Sequence, residues 1–490
     1  MSSALSFDLS PVRLSYAASL RGIVPLAADA DFTYAHAGRF DVEALLCLAA
    51  SNPQGQFYGL VNQPDIASKS AELARLRNVN NITFLTSTTT LPRDLDYLCC
   101  EITDKLMTAE QRSSMMTLAE THLAPSGLFC CRYLAYASAD DTLRFLLSEY
   151  RADLGTAQTA TFLADIKNLG TLYFADHPQA RQALDRAIAT SDANVLFTAT
   201  GTSTKAHSET FELMKELLPR NFAFAGDAEI ARNYLEMVAP TAAQTVLVKT
   251  RDQLLYEPIK DFALQKLIRN DIWVRLPANQ SLNMPDLCNP FTFGILTARA
   301  QVPQSVTTHN GTIPINTPLF TRLIDMMTDM PIGVGDFLTT ALGVGMNPSD
   351  VVSAMRFLVA ANIAQPMRGR FTGTIALNPT NPQWASAFND YLTHAPINNT
   401  QVRVASSIVG ESILLGARDA LVLQAISRAG LAQSSGILRP ELQRLLSANP
   451  SLTAQITDSR TITDDVISNI LTSTLNNNAT KWYTYGILAA

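Results

Sequence analysis

The residues best placed for ligand chemistry lie between Asp31 and Ser87, in a stretch whose strand and helix pattern is typical of a nucleotide site. The loop after the first strand of such a site contacts the ligand. Such a loop needs glycines between its first strand and first helix, because the backbone must approach the ligand closely and side chains would collide with it. Gly38 stands at this point, but Phe40 and Val42 follow it where further glycines or small residues are needed. We expect these two side chains to crowd a nucleotide-type ligand.

Strands and helices are predicted to alternate around this loop, because apolar runs of strand length alternate with apolar residues at helical spacing. The predicted elements are a strand at 31–37, a helix at 43–50, a strand at 56–61, a helix that Asp65 caps and that ends at Arg77, and a strand at 82–85. Short apolar strands bounded by turns are typical of a parallel sheet covered on both faces. The order predicts an α/β fold whose ligand edge lies at the carboxyl ends of the strands.

Several stretches carry a family resemblance, and their order along the chain makes it specific. They are ALLCLAASNPQGQFYGLVNQPDIASKSAELARLRNVNNITFL, LAETHLAPSGLFCCRYLAY, DIKNLGTLYFADHP, ETFELMKELLPRNFAFAGDAEIARNY and LLYEPIKDFALQKLIRNDIWVRL. The chain resembles class I S-adenosylmethionine-dependent methyltransferases that carry a methyltransferase regulatory domain. Bacterial protein-lysine methyltransferases belong to this group.

The resemblance implies a multidomain α/β protein. It places a Rossmann-like methyltransferase domain at 1–150, a mainly helical regulatory domain at 151–305, a winged-helix-like domain at 315–395 and a C-terminal helical lobe at 396–490. The winged-helix-like part is expected to contain two helices and a hairpin through Arg370 and Ile375. Without a basic recognition helix, protein binding is favoured over DNA binding.

The resemblance also implies S-adenosylmethionine as cofactor, and this chain departs from the family where the cofactor would bind. The family has an acidic residue at the end of the second strand to bind the ribose hydroxyls, and Val61 occupies that position here. The family stretches expected at the substrate mouth, after the fourth and fifth strands, are also replaced, by CEITD and YLAYA.

Three losses at one expected site predict a catalytically degenerate methyltransferase without a cofactor. Such a protein would act as an interaction or regulatory subunit, for example of an active protein methyltransferase. The alternative is an active S-adenosylmethionine-dependent protein (lysine) methyltransferase with a remodelled loop. In that alternative the cofactor-binding residues are Tyr34, Gly38, Asn62 and Ser87.

Composition narrows the class of partner. The chain has 490 residues, 47% hydrophobic and 16% charged, with a net charge of −6, so we expect two to four domains and no chain-wide electrostatic footprint for nucleic acid. No apolar run is long enough for a membrane span, and Arg21 interrupts the one candidate leader stretch. These features predict a cytoplasmic protein with a protein partner or substrate, as a hetero- or homo-oligomer.

The remaining reactive residue types predict structural roles. The six cysteines form no Cys-x-x-Cys spacing, so we expect buried free thiols and no metal site. His36 is expected to be a polar surface residue of the loop. Asp261, Arg269 and Arg275 are expected to form ion pairs that brace the regulatory domain, and residues 201–204 are expected to form a turn before a helix that Ser208 caps.

Overall fold

A computed structural model describes residues 9–151, 158–199, 206–251, 254–340, 343–369, 382–429, 435–457 and 462–489. The chain divides into two compact units. The first unit comprises Met1–Tyr97, Asn279–Gln304 and Ile315–Ala490, and the second comprises Leu98–Ala278 and Ser305–Pro314. The predicted turn at 201–204 and the predicted hairpin residues Arg370 and Ile375 lie outside the described residues.

Strands and helices alternate through the amino-terminal part, and helices dominate elsewhere. The strands are β1 (Phe32–Gly38), β2 (Gly55–Leu60), β3 (Ile82–Leu85), β4 (Leu95–Ile102), β5 (Leu123–Leu134), β6 (Phe222–Asp227), β7 (Ile268–Arg275), β8 (Thr292–Gly294), β9 (Ser305–Thr308), β10 (Gly311–Pro314), β11 (Ile332–Gly333), β12 (Gln365–Met367), β13 (Gln401–Ser406) and β14 (Glu411–Gly416). The helices are α1 (Pro11–Ser19), α2 (Val42–Ala50), α3 (Pro64–Leu76), α4 (Ala109–His122), α5 (Ala139–Arg151), α6 (Thr159–Leu169), α7 (Thr171–Asp176), α8 (Pro178–Thr190), α9 (Asn194–Ala199), α10 (Glu209–Leu217), α11 (Leu235–Val238), α12 (Thr241–Lys249), α13 (Tyr256–Leu264), α14 (Met284–Cys288), α15 (Pro318–Asp329), α16 (Val334–Thr339), α17 (Pro348–Ala360), α18 (Tyr391–His394), α19 (Ala417–Ala429), α20 (Ser435–Ala448), α21 (Pro450–Thr457) and α22 (Asp464–Thr484).

The main sheet has the strand order β3-β2-β1-β4-β5-β7-β6. β1 pairs in parallel with β2, and β2 pairs in parallel with β3, as the predicted βαβαβ order requires. β7 is antiparallel to both β5 and β6. Chain order reverses at β1, and ligands of open α/β sheets bind outside the carboxyl ends of the strands at such a reversal.

Two of these strands come from the segment that the sequence predicts to be mainly helical. β6 and β7 both lie within 151–305 and belong to the second unit, where β7 pairs with β5 and with β6. Their sequences, FAFAGD and IRNDIWVR, are short and rich in aromatic or β-branched residues, which suits strands. The described part of the regulatory segment is mainly helical, as predicted, and β6 and β7 are the strands that it adds to the main sheet.

The sequence predicts the N-cap residues of two helices, and one of the two predictions is confirmed. Ser208 caps α10 as predicted, because its Oγ accepts a hydrogen bond from the Phe211 amide at 3.3 Å. The prediction that Asp65 caps α3 is wrong, because α3 already begins at Pro64 and Asp65 lies in its first turn. Proline is favoured at the first helical position, where its missing N–H costs no hydrogen bond.

The carboxyl-terminal part of the first unit has its own apolar core. β13 and β14 form a two-stranded antiparallel sheet, and β8, β11 and β12 form a three-stranded one. The aromatic tail packs into this core, where Trp482 and Tyr485 are buried. No helix among the described residues has the length and apolar character needed to cross a membrane.

Candidate functional site

The register of the parallel strands brings three of the four sequence-predicted cofactor residues to one edge. Ala37 of β1 lies opposite Leu60 of β2, and Leu60 lies opposite Leu85 of β3. Gly38 is the last residue of β1, Asn62 and Ser87 lie two residues beyond the ends of β2 and β3, and all three are exposed. We call this the β1–β3 edge.

The fourth predicted residue, Tyr34, lies in the core. Its side chain is 0% exposed, and its hydroxyl donates to the Leu9 carbonyl at 3.3 Å. Its ring packs against Phe57 with centroids 5.0 Å apart. The structure therefore brings Gly38, Asn62 and Ser87 together but does not bring Tyr34 to their edge.

The Phe40 ring covers the sheet one residue before the β1–β3 edge. His36, Gly59 and Phe84 form a row across the three strands, because they are paired in register. The Phe40 ring lies 5.1 Å from the His36 ring and 6.4 Å from the Phe84 ring, nearly parallel to the latter. A methyl group added at Gly59 would come within 3.2 Å of Phe40 Cζ, so the ring lies directly over this glycine.

The amino terminus of α2, which follows the loop, already has an anion of its own. Asp41 is the N-cap, and its Oδ1 accepts hydrogen bonds from the amides of Glu43 at 2.9 Å and Ala44 at 3.4 Å. The free amides of a helix amino terminus and the helix dipole attract anions. A cofactor carboxylate at this point would meet the Asp41 carboxylate instead of free amides.

The end of β2 offers no acidic group to a ribose. The Val61 amide donates to the Leu85 carbonyl at 2.9 Å, which fixes the backbone here, and the Val61 side chain is hydrocarbon. Ser87 is engaged locally, since its Oγ accepts from the Thr89 amide at 3.2 Å. The end of β2 therefore presents hydrocarbon at Val61, and the Ser87 hydroxyl is already bonded within its own turn.

His36 is buried and not a surface residue, so that prediction is wrong. It is the fifth residue of β1, and its side chain is 3% exposed. Burial lowers the pKa of His36 to about 4, and a backbone hydrogen bond with Arg39 opposes this shift only in part. A neutral histidine under the Phe40 ring is part of the packing.

The second unit contains a buried ion cluster around Arg269. This guanidinium donates to Asp261 at 2.6 Å, to Glu257 at 2.7 Å and to Asp271 at 2.7 Å, and Tyr133 donates to Asp271 at 2.6 Å. The predicted Arg269–Asp261 ion pair is confirmed. Sequence reasoning missed Glu257 and Asp271, although Glu257 lies one helical turn before Asp261 and Asp271 lies on the same strand face as Arg269.

The other structural predictions have mixed outcomes. Arg275 pairs with no carboxylate in the part of the chain that the structure describes, and its guanidinium donates to the Leu123 carbonyl. All six cysteines are buried free thiols, as predicted. Burial raises the pKa of the Cys288 thiol to about 11, which keeps it protonated and unreactive.

The ion cluster predicts an unusual dependence of stability on pH. Burial raises the pKa of Asp261 to about 7 and that of Asp271 to about 6, so the folded state holds protons that the unfolded state releases near pH 4. The stability that these two groups contribute is therefore present at low pH and is lost as pH rises from about 4 to 7. Glu257, whose pKa is lowered to about 2 by Lys260 and Arg269 against the effect of burial, acts in the opposite direction below pH 4.5.

Asp261→Asn tests this dependence, because the amide cannot ionise. We expect the unfolding free energy of wild type minus that of D261N to fall as pH rises from 5 to 7.5. The measurement is urea unfolding of the full chain, read in the second unit. A difference that stays constant across this range would contradict the raised pKa of Asp261.

The strand order and the parallel β1–β3 edge define a Rossmann-like methyltransferase fold. Residues 206–275, which include most of the ion cluster, match the family described as "Predicted methyltransferase regulatory domain". The resemblance seen in the sequence is confirmed for this segment and for the fold. A comparison with curated proteins gives no match.

Solved structures show the same fold over nearly the whole chain. PKMT2 from Rickettsia typhi superposes with a TM-score of 0.62 at 14% sequence identity, covering 99% of this chain and 99% of that chain. PKMT2 in complex with AdoHcy superposes with a TM-score of 0.60 at 13% identity, covering 99% of this chain and 98% of that chain. The chain and PKMT2 therefore share a fold over 99% of this chain.

Proposed function

We propose that this protein is a catalytically degenerate member of the methyltransferase fold that acts as an interaction or regulatory subunit. The observation that carries this proposal is the Phe40 ring, which packs between His36 and Phe84 over Gly59. The Asp41 carboxylate at the α2 amino terminus supports it independently. We expect the protein to bind a protein partner, such as an active protein methyltransferase.

An active S-adenosylmethionine-dependent protein methyltransferase is the second candidate. It is favoured by Gly38, which keeps a positive φ of 90° and is exposed at the end of β1, as a cofactor loop requires. The similar fold of PKMT2 in complex with AdoHcy also favours it. For this candidate to hold, the Phe40 ring must leave its place over Gly59.

Restoring the missing features separates the two candidates. In Phe40→Gly with Val61→Asp the ring is removed and an acceptor for the ribose hydroxyls is added. We expect this double variant to bind S-adenosylhomocysteine in a calorimetric titration with a Kd at least about tenfold below the millimolar limit up to which wild type shows no saturable binding, a gain of at least about 1.4 kcal/mol. The matched control is Phe40→Leu with Val61→Ile, which changes the same positions but keeps apolar bulk and should bind no better than wild type. Equal affinity of the wild type and both variants would refute the assignment of these residues to the site.

A further inference from the structure

We propose that a groove beside β13 binds an extended acidic segment of a partner protein. The groove has a volume of about 640 Å³ and lies wholly within the first unit. Its lining includes Glu43, Arg77, Tyr391, Gln401 and Arg403, and we call it the β13 groove. The inference takes from the proposed function only that the partner is a protein, and its test does not involve the cofactor.

Among the described residues, the edge of β13 that faces away from β14 has unpaired backbone groups near Gln401, at the start of the strand. Backbone groups of alternate residues of β13 point away from β14, and those of Ala405 are both taken by Asn389, whose amide side chain binds its N–H at 2.7 Å and its carbonyl at 2.9 Å. The Tyr391 hydroxyl donates to the Arg403 carbonyl at 3.1 Å. Among the described residues, no hydrogen bond takes the Arg403 N–H or the backbone groups of Gln401.

An edge of this kind accepts another strand. Unpaired N–H and carbonyl groups of an edge strand pair readily with an extended chain, and proteins usually block such edges. Here side chains block the edge at Ala405 and leave it open at Gln401, which is exposed. The open stretch is short, so affinity must also come from side chains of the ligand.

Arg403 supplies an uncompensated positive charge in the groove. Its guanidinium makes one long hydrogen bond, to Ser412 Oγ at 3.4 Å, and it forms no ion pair with any described residue. The nearby acidic groups are already engaged, because Glu43 pairs with Arg77 at 2.9 Å and Asp41 caps α2. A carboxylate of the ligand would give Arg403 the charge-assisted hydrogen bonds that it lacks here.

Arg77 provides a second, rigidly held guanidinium in the same groove. Its guanidinium carbon lies 3.6 Å from the centre of the Tyr391 ring, which fixes its plane. The guanidinium also donates to Glu43 Oε1 at 2.9 Å, so Arg77 is held in the wall of the groove and Arg403 is the cation to which a ligand carboxylate would bind.

The combination points to a peptide and not to a small anion. A free phosphate would pair with the guanidinium groups but would leave the edge of β13 unpaired. An extended segment with acidic side chains at alternate positions pairs with the edge through its backbone and with Arg403 through a carboxylate. This complementarity defines the ligand class.

The test is fluorescence anisotropy of the full chain with a labelled peptide of alternating valine and glutamate. We expect saturable binding, and about tenfold or greater loss in Arg403→Gln, because this variant removes the charge that pairs with the ligand carboxylate. Arg418→Gln, an exposed arginine of α19, is the matched control and should bind like wild type. Gln401→Pro removes an edge donor and should weaken binding, whereas Gln401→Ala keeps the donor and should not.

Three outcomes would overturn the inference. The first is no binding at millimolar peptide, and the second is equal binding of the peptide in which glutamine replaces glutamate. The third is displacement of the peptide by inorganic phosphate with no effect of Gln401→Pro, which would mean a simple anion site. Thermal unfolding of each variant separates loss of the groove from loss of the fold, and Arg403→Lys, which keeps the charge, should retain part of the affinity.

Discussion

Replacing Arg269 by leucine is expected to destabilise the second unit by about 4 kcal/mol, because the change leaves three carboxylates buried without their shared cation. Glu257, Asp261 and Asp271 all bind this one guanidinium, and its side chain is 1% exposed. Lys260 pairs with Glu257 at 2.8 Å and cannot compensate for the other two acids. This loss is a large part of the stability of a typical domain.

The matched control for this prediction is Arg220→Leu. Arg220 pairs with Glu120 at 2.8 Å, and both side chains are more than one third exposed, so its loss should cost less than about 1 kcal/mol. Urea unfolding read by hydrogen exchange and mass spectrometry assigns each change to peptides of the second unit. Equal effects of the two variants would mean that the cluster does not stabilise the fold.

Replacing Glu411 by alanine is expected to destabilise the first unit by about 3 kcal/mol, because a buried carboxylate that binds several donors is removed. Arg13 Nε donates to Glu411 Oε2 at 2.9 Å, Arg13 Nη2 donates to Oε1 at 3.0 Å, and Ser10 donates to Oε2 at 2.8 Å. The Glu411 side chain is 2% exposed and that of Arg13 is 16% exposed. Glu411 therefore joins α1 to β14, which are about 400 residues apart in sequence.

Two further variants calibrate this effect. Glu411→Gln keeps the shape and part of the hydrogen bonding, so we expect a smaller loss than in Glu411→Ala. Asp325→Ala removes an exposed partner of Arg299 and should change stability by less than about 1 kcal/mol. The measurement is urea unfolding, read in peptides of the first unit, and a loss in E411A no larger than that in D325A would contradict the role of Glu411.

The local elements of the sheet could be predicted from the sequence. β3 was predicted with its observed bounds, Ile82–Leu85, because a short apolar run lies between turn residues. β2 was predicted one residue late, since its first residue is Gly55 and glycine is a poor strand signal. These elements depend on short-range patterns, which a single sequence contains.

Long-range pairing could not be predicted. β7 pairs with β5, and Cys130 lies opposite Ile272, with more than 140 residues between them. No local pattern indicates that a strand between two short helices pairs with a strand so far back in the chain. The prediction that the regulatory segment is mainly helical is confirmed, but the sequence did not indicate that β6 and β7 join the main sheet.

The candidate site could be predicted only in part. The sequence indicated that Phe40 and Val61 are unfavourable for a cofactor, because residue type alone excludes glycine and an acid at these positions. It did not indicate where the Phe40 ring points, which depends on packing against His36 and Phe84. The β13 groove was not predictable either, since Arg77 and Tyr391 meet across more than 300 residues.

The proposal of a degenerate cofactor site is tested most directly by calorimetric titration of the wild-type protein with S-adenosylmethionine and S-adenosylhomocysteine. The packing of Phe40, the Asp41 carboxylate and the apolar Val61 predict no saturable binding up to millimolar ligand. The double variant with Phe40→Gly and Val61→Asp serves as the positive comparison. Micromolar binding by the wild type would contradict the proposal and would identify an active site that opens when Phe40 moves.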